Sequence, residues 1–216
     1  MGEYNLRDIE KRFLGRTPKP LGPYHFYSVL VPLVLCGEEL YLLFEVRSED
    51  LKVQPGQICF PGGKMETGET PEECAIRETC EELNVHSDSI RVIAPLDYLH
   101  TYSNYTMYPF LGVLEIDDLG EIRPNEDEVK EVFYVPLSWF LENEPVTFEV
   151  EVLPRVPDDF PYEKINSTKD YKWRNGVTTI PVYRYEERSI WGLTALIARD
   201  LAENLLPEKE EQNGKG

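Results

Sequence analysis

Apolar residues cluster along this chain with two different spacings. Residues 27–35 form a β-rich apolar run, and so do residues 40–46. The turn-forming Cys36-Gly37-Glu38-Glu39 between them predicts a hairpin. Further strands are predicted at 57–60, 91–102, 108–115, 132–135, 147–152 and 178–185, with Ser103-Asn104 separating 91–102 from 108–115. Helical spacing places Leu6, Ile9 and Phe13 on one face of a helix over 5–14, followed by the linker of residues 17–24. A short helix is predicted at 138–141 and a longer one at 190–205. The polar, proline-containing stretch 154–176 is long for a structureless connection, which suggests function or disorder.

The best-marked element is a helix beginning after Thr70. Thr70 can cap it, Pro71 suits its first position, and Glu73 completes a capping box. At roughly 100° per residue, Ile76, Cys80 and Leu83 share one face, and Glu78, Glu81 and Glu82 lie opposite. Three clustered carboxylates repel and raise one another's pKa unless a cation sits among them. A hard, oxygen-preferring Mg²⁺ or Mn²⁺ would resolve that conflict. Arg77, four residues before Glu81, can hold that carboxylate in one orientation. The plain alternative is a solvated acidic face.

Composition narrows the function. A net charge of −18 argues against nonspecific nucleic-acid binding and against docking on an anionic membrane. An acidic protein that handles a polyanion needs a metal and a local basic cluster. The charged N-terminus has no apolar run, Leu6 stands where a myristoylation motif needs Ser or Thr, and no stretch reaches transmembrane length. The C-terminal residues form no peroxisomal or retention signal. Cys36, Cys59, Cys74 and Cys80 make no CxxC pair and are expected as buried, reduced thiols in a cytoplasmic protein. One domain over 25–206 is expected, after an N-terminal helix and linker (1–24) and before a disordered charged tail (207–216).

Phe60-Pro61-Gly62-Gly63 leads into Glu69, Arg77, Glu78, Glu81, Glu82 and Val85 at the spacing of the Nudix signature. The chain therefore resembles the Nudix hydrolases. Thr79 and Asn84 depart from the signature's apolar residue and glycine. Asn tolerates the left-handed cap, and the Thr79 methyl can pack while its hydroxyl bonds back within the helix. The resemblance implies an α/β/α sandwich with a mixed β-sheet and a metal-dependent diphosphatase. Upstream, Arg47, Ser48 and Gly56 match the extension of the coenzyme A pyrophosphatase branch, while Phe44, Glu45 and Lys52 depart from its Leu, Thr and Arg. The segment 190–195, Ile-Trp-Gly-Leu-Thr-Ala, is similar to a C-terminal segment of that branch; Trp191 is expected to serve packing.

The resemblance implies hydrolysis of the coenzyme A pyrophosphate to phosphopantetheine and adenosine 3',5'-bisphosphate. Glu78, Glu81 and Glu82 would hold Mg²⁺ or Mn²⁺, with the Gly62 carbonyl as a further ligand and Glu69 supporting or ligating. A later loop would supply Glu128 or, alternatively, Glu131. Arg47, Lys52 and Lys64 are the basic residues nearest the box, with Arg47 favoured for a substrate phosphate. Other readings are a Nudix enzyme on ADP-ribose or a reduced dinucleotide, and a non-catalytic nucleotide-binding protein. The expected partner is a small nucleotide, and a homodimer is left open.

Overall fold

The computed structural model describes residues 5–116, 120 and 122–207. The predicted charged tail thus falls, from residue 208 on, outside the described residues. Helix α1 (Leu6–Phe13) starts at an Asn5–Asp8 capping box and buries none of its residues. Strands β1 (His25–Cys36) and β2 (Glu39–Arg47) form the expected hairpin, with Leu33 opposite Leu42. After β2 come β3 (Ile58–Cys59), β4 (Gly62–Lys64) and helix α2 (Pro71–Leu83). The chain continues as β5 (Ile90–Pro95), β6 (Leu99–His100), β7 (Tyr105–Leu114), β8 (Val129–Pro136) and α3 (Leu137–Glu142). It ends with β9 (Val146–Val152), β10 (Gly176–Tyr185), β11 (Arg188–Trp191) and α4 (Gly192–Leu205).

β1 to β8 form one mixed sheet, in which β1 and β7 run parallel and the other pairs are antiparallel. Side chains alternate across a strand, so a strand buried on both faces feeds two cores. Leu30, Val34 and Leu43 pack with Ala75 and Leu83 of α2 on one face. Val29, Val31, Leu33, Leu42, Phe44 and Val46 pack on the other with Phe140 of α3 and Ala198 and Leu201 of α4. This is the expected α/β/α sandwich. No helix among the described residues is long and apolar enough to cross a membrane.

Several boundaries move. The run 91–102 is two strands, β5 and β6, both paired with β7 and bridged by the Leu96 N–H, which donates to the Pro109 carbonyl at 2.9 Å. Ile190 and Trp191 belong to β11 and not to the last helix. They pair with Tyr183 and Val182, and α4 begins only at Gly192, whose φ of 65° favours glycine. Trp191 is exposed, so it does not serve the core as expected. The stretch 154–176 contains a 3₁₀ turn at Tyr162–Ile165 and folds on itself through Phe160, Tyr162, Tyr171 and Trp173 ring contacts. Of the four cysteines, Cys74 is buried, but Cys36 is exposed at the hairpin turn. All four are free thiols.

α2 keeps its capping box and ends on Asn84 in the left-handed conformation, φ 51° and ψ 44°. Its inward face is rotated from the expected one. Ala75, Thr79, Glu82 and Leu83 are buried, while Ile76 and Cys80 are only half-buried. Thr79 tolerates this because its hydroxyl donates to the Ala75 carbonyl at 2.7 Å. The rotation brings α2 against β4, which on its other side lies tight against β1. A Cβ on Gly62, whose φ is 153°, would overlap the Ser28 carbonyl oxygen and Val29 Cα. Since backbone blocks the space, Gly62→Ala is expected to destabilise the fold by about 3 kcal/mol, read as a shift of the urea midpoint.

Candidate active site

The site forms where α2 crosses β4. β4 pairs with β1 in the register Val29–Gly62, Ser28–Gly63 and Tyr27–Lys64, which lays the two glycines beneath the helix. Glu78 and Glu82, one helical turn apart, both face that strand. The Gly62 N–H donates to Glu82 Oε2 at 2.8 Å. The Glu78 carboxylate occupies the space that a Gly63 Cβ would fill.

Arg77 collects the remaining acids. Its Nε reaches Glu69 at 2.8 Å, one terminal nitrogen reaches Glu78 at 2.9 Å, and the other reaches Glu81 at 3.1 Å. Both Glu69 oxygens are engaged, Oε2 accepting also from the Glu66 N–H at 2.9 Å. The Arg77 hydrogen bonds, followed by that backbone bond, hold the Glu69 carboxyl at about 2. The expected acidic face is therefore divided: Glu81 is exposed, Glu78 half-buried and Glu82 buried. Among the described residues, no three His, Cys, Asp or Glu side chains converge closely enough to hold a metal in this arrangement.

A residue that sequence reasoning did not place completes the cluster. Glu45 on β2 is fully buried, and its carboxyl meets that of Glu82. Its Oε1 accepts from the Cys59 thiol at 3.3 Å, while Oε2 is buried without a partner. The available signal was its departure from the branch's Thr, together with strand alternation. Glu45 lies two residues from Leu43, which packs under α2.

The late loop closes the site. The Asn125 N–H donates to the Glu82 carbonyl at 2.8 Å, and the Asn125 carbonyl accepts from Glu128 and Val129. Glu128 is half-buried, and its charge raises the pKa of both Glu45 and Glu78. Glu131 points elsewhere, paired with Arg188 at 2.9 Å. The charge of Arg47 reaches both Glu45 and Glu82, and its Nε is buried without a partner. Lys52 is exposed in the turn after β2. Lys64 is exposed on β4 and lends its carbonyl to Arg77 at 3.4 Å. Burial pushes the Cys74 thiol up to about 12, which leaves it protonated and inert.

The donor chemistry suits a hard divalent cation: carboxylate oxygens, backbone carbonyls of the glycine strand, and a buried oxygen on Glu45 with nothing bound to it. Desolvation is the first cause of the raised pKa values of Glu82, Glu45 and Glu78; the charges of Glu45 and Glu78 add to it at Glu82, that of Glu128 at Glu45, and those of Glu81 and Glu128 at Glu78. A carboxyl raised on folding holds protons that the unfolded chain has already released, so stability falls as pH rises above the ordinary carboxylate range. Glu69 and Glu73, both lowered, act in the opposite sense and only below that range. Metal-free protein is therefore expected to melt at a lower temperature at about pH 8 than at about pH 5. Saturating Mg²⁺ should flatten the difference, measured by thermal melts with chelator and with metal.

Comparison with known proteins agrees with this geometry. The family model of the NUDIX domain matches residues 25–168. "Peroxisomal coenzyme A diphosphatase NUDT7" of Mus musculus is 44% identical over 116 residues, which is 53% of this chain and 48% of that protein. The chain thus spans about half the length of the mouse relative. "Uncharacterized Nudix hydrolase NudL" of Pectobacterium atrosepticum is 31% identical over 204 residues, covering 92% of this chain and 94% of that one. "Nudix hydrolase 3" of Caenorhabditis elegans is 28% identical over 184 residues, 84% of this chain and 73% of that one. With its glycine strand under a carboxylate-bearing helix and a domain match over most of its length, the chain belongs to the Nudix hydrolase family.

Proposed function

We propose that this protein hydrolyses the pyrophosphate bond of coenzyme A or a derivative, releasing phosphopantetheine and adenosine 3',5'-bisphosphate. The observation that carries the chemistry is the apposition of Glu78 and Glu82 to the Gly62–Gly63 strand. Support for the substrate comes from the likeness to the mouse coenzyme A diphosphatase.

In this reading Glu78, Glu82 and a glycine carbonyl hold Mg²⁺ or Mn²⁺. Bound there, the metal neutralises the diphosphate and lowers the pKa of a water. Glu81, held by Arg77 at the exposed rim, is the further ligand that can swing inward. Glu69 keeps Arg77 in place through two hydrogen bonds. Glu128 accepts a proton at the mouth of the site, a role favoured over Glu131 because Arg188 holds the latter. Arg47, half-buried beside Glu45 and Glu82, meets a substrate phosphate with its guanidinium. Lys52 and Lys64, both exposed, add positive charge at the rim. The departures at Glu45 and Lys52 from the branch's Thr and Arg keep ADP-ribose or a reduced dinucleotide as the second reading.

Hydrolysis of coenzyme A, acetyl-coenzyme A, ADP-ribose and reduced nicotinamide dinucleotide, with products resolved by mass, tests the substrate. Phosphopantetheine and adenosine 3',5'-bisphosphate are the expected products, and activity confined to ADP-ribose or the dinucleotide would overturn the coenzyme A assignment. Glu78→Gln and Glu82→Gln should each lower kcat by orders of magnitude, since each removes a charge at the metal and preserves shape. Arg47→Ala should raise KM for coenzyme A more than for ADP-ribose in the same assay; equal losses would make Arg47 a general charge of the scaffold.

A further inference from the structure

Glu45 and Glu82 are the two buried carboxylates among the described residues, and Glu45 is fully buried. The motif accounts for Glu82 and not for Glu45. Glu45 sits on β2, paired to Cys59 of β3 and Val132 of β8, inside the sheet and away from its edges. A carboxylate is costly there unless something positive compensates it. Its Oε1 accepts from the weak thiol donor of Cys59, the carboxyl shares a hydrogen bond with that of Glu82, and Oε2 is buried with no donor of its own. That bare oxygen belongs to a carboxyl in contact with Glu82, and the charge of Glu128 also bears on Glu45.

Little positive charge reaches this point. Arg77 is taken by Glu69, Glu78 and Glu81. Arg47 supplies one charge against the carboxyls of both Glu45 and Glu82. Two buried carboxyls in contact, one with a free oxygen, form half of a hard-cation shell, and the glycine-strand backbone already lies against Glu82.

We propose that Glu45 is an additional metal-holding carboxylate of this chain, which binds a divalent cation together with Glu82 at the sheet side of the site. This inference rests on the metal-site reading above and adds a ligand that the motif does not contain. It gives the departure from Thr at position 45 a chemical purpose.

The test is Mn²⁺ binding without substrate, by titration calorimetry and by loss of the free-ion electron paramagnetic resonance signal. It is made on the wild type, Glu45→Gln, Glu45→Thr and Glu82→Gln. Glu45→Thr suits an interior strand and decides the matter if the Gln variant fails to fold. Both Glu45 variants are expected to bind Mn²⁺ about tenfold more weakly or worse. Their metal-free melting temperature should equal or exceed that of the wild type, because a desolvated ionisable group is gone from the sheet interior. Unchanged or tighter binding in the Glu45 variants, with Glu82→Gln impaired, overturns the role of Glu45 and leaves the metal site standing. Weaker binding that only accompanies a lower metal-free melting temperature also overturns it, since a packing defect explains both. Failure of the wild type to bind Mn²⁺ overturns both readings together.

Discussion

The close approach of α2 to β4 is the constraint on which the rest depends. It needs Gly63, where a Cβ would meet the Glu78 carboxylate, while Gly62 is required by the packing of β4 on β1, where a Cβ would meet the Ser28 carbonyl oxygen and Val29 Cα. The approach buries the last turn of the helix, and with it Glu82. Charge is thus carried into a region where desolvation disfavours it, and the surrounding residues manage that cost. The Gly62 N–H, the Asn125 contact with the Glu82 carbonyl and the nearby Arg47 all bear on this one turn.

Arg77 solves a second part of the same problem. Its planar guanidinium can address several carboxylates at once, which a point-like ammonium cannot. Here it meets Glu69, Glu78 and Glu81 together. Glu69 is bound firmly on two edges, so Arg77 has a fixed seat. Glu78 and Glu81 each hold it by a single contact and are the more easily released toward a cation. Partner count thus distinguishes Glu69 from Glu78 and Glu81, acids of the same chemical type, in line with the proposed division between a supporting acid and metal-holding ones.

The second face of the sheet contributes differently. The stacked Phe44, Phe60 and Phe133 lie under α3 and α4, opposite the carboxylates. Thr194 at the start of α4 donates to the Ile58 carbonyl at 3.3 Å, tying the C-terminal segment to the short strand before the glycines. The likeness of residues 190–195 to a branch-specific segment thus has a structural meaning: it braces β3, whose partner strand β2 carries Glu45 and Arg47.

Local chemistry was readable from the sequence alone. Thr70, Pro71 and Glu73 start α2, and Asn84 ends it in the left-handed conformation, because caps depend on residues within a turn of one another. The spacing from Gly63 to Glu82 likewise assembles most of the site on one continuous segment. Which face of α2 is buried was not readable, since Thr79 and Glu82 look polar until the sheet covers them. Ile190 and Trp191 were misread because a short apolar run suits helix and strand equally, and only pairing with β10 decides. Glu45 lay beyond reach for a deeper reason. It meets Glu82 across 37 positions of chain, through a strand register and a helix docking angle that no local pattern encodes. The sequence by itself determined the family, the helix and its acids. Tertiary structure decided which acids are buried, which are held by Arg77, and that a carboxylate from the sheet joins them, because burial and charge pairing are set by long-range packing.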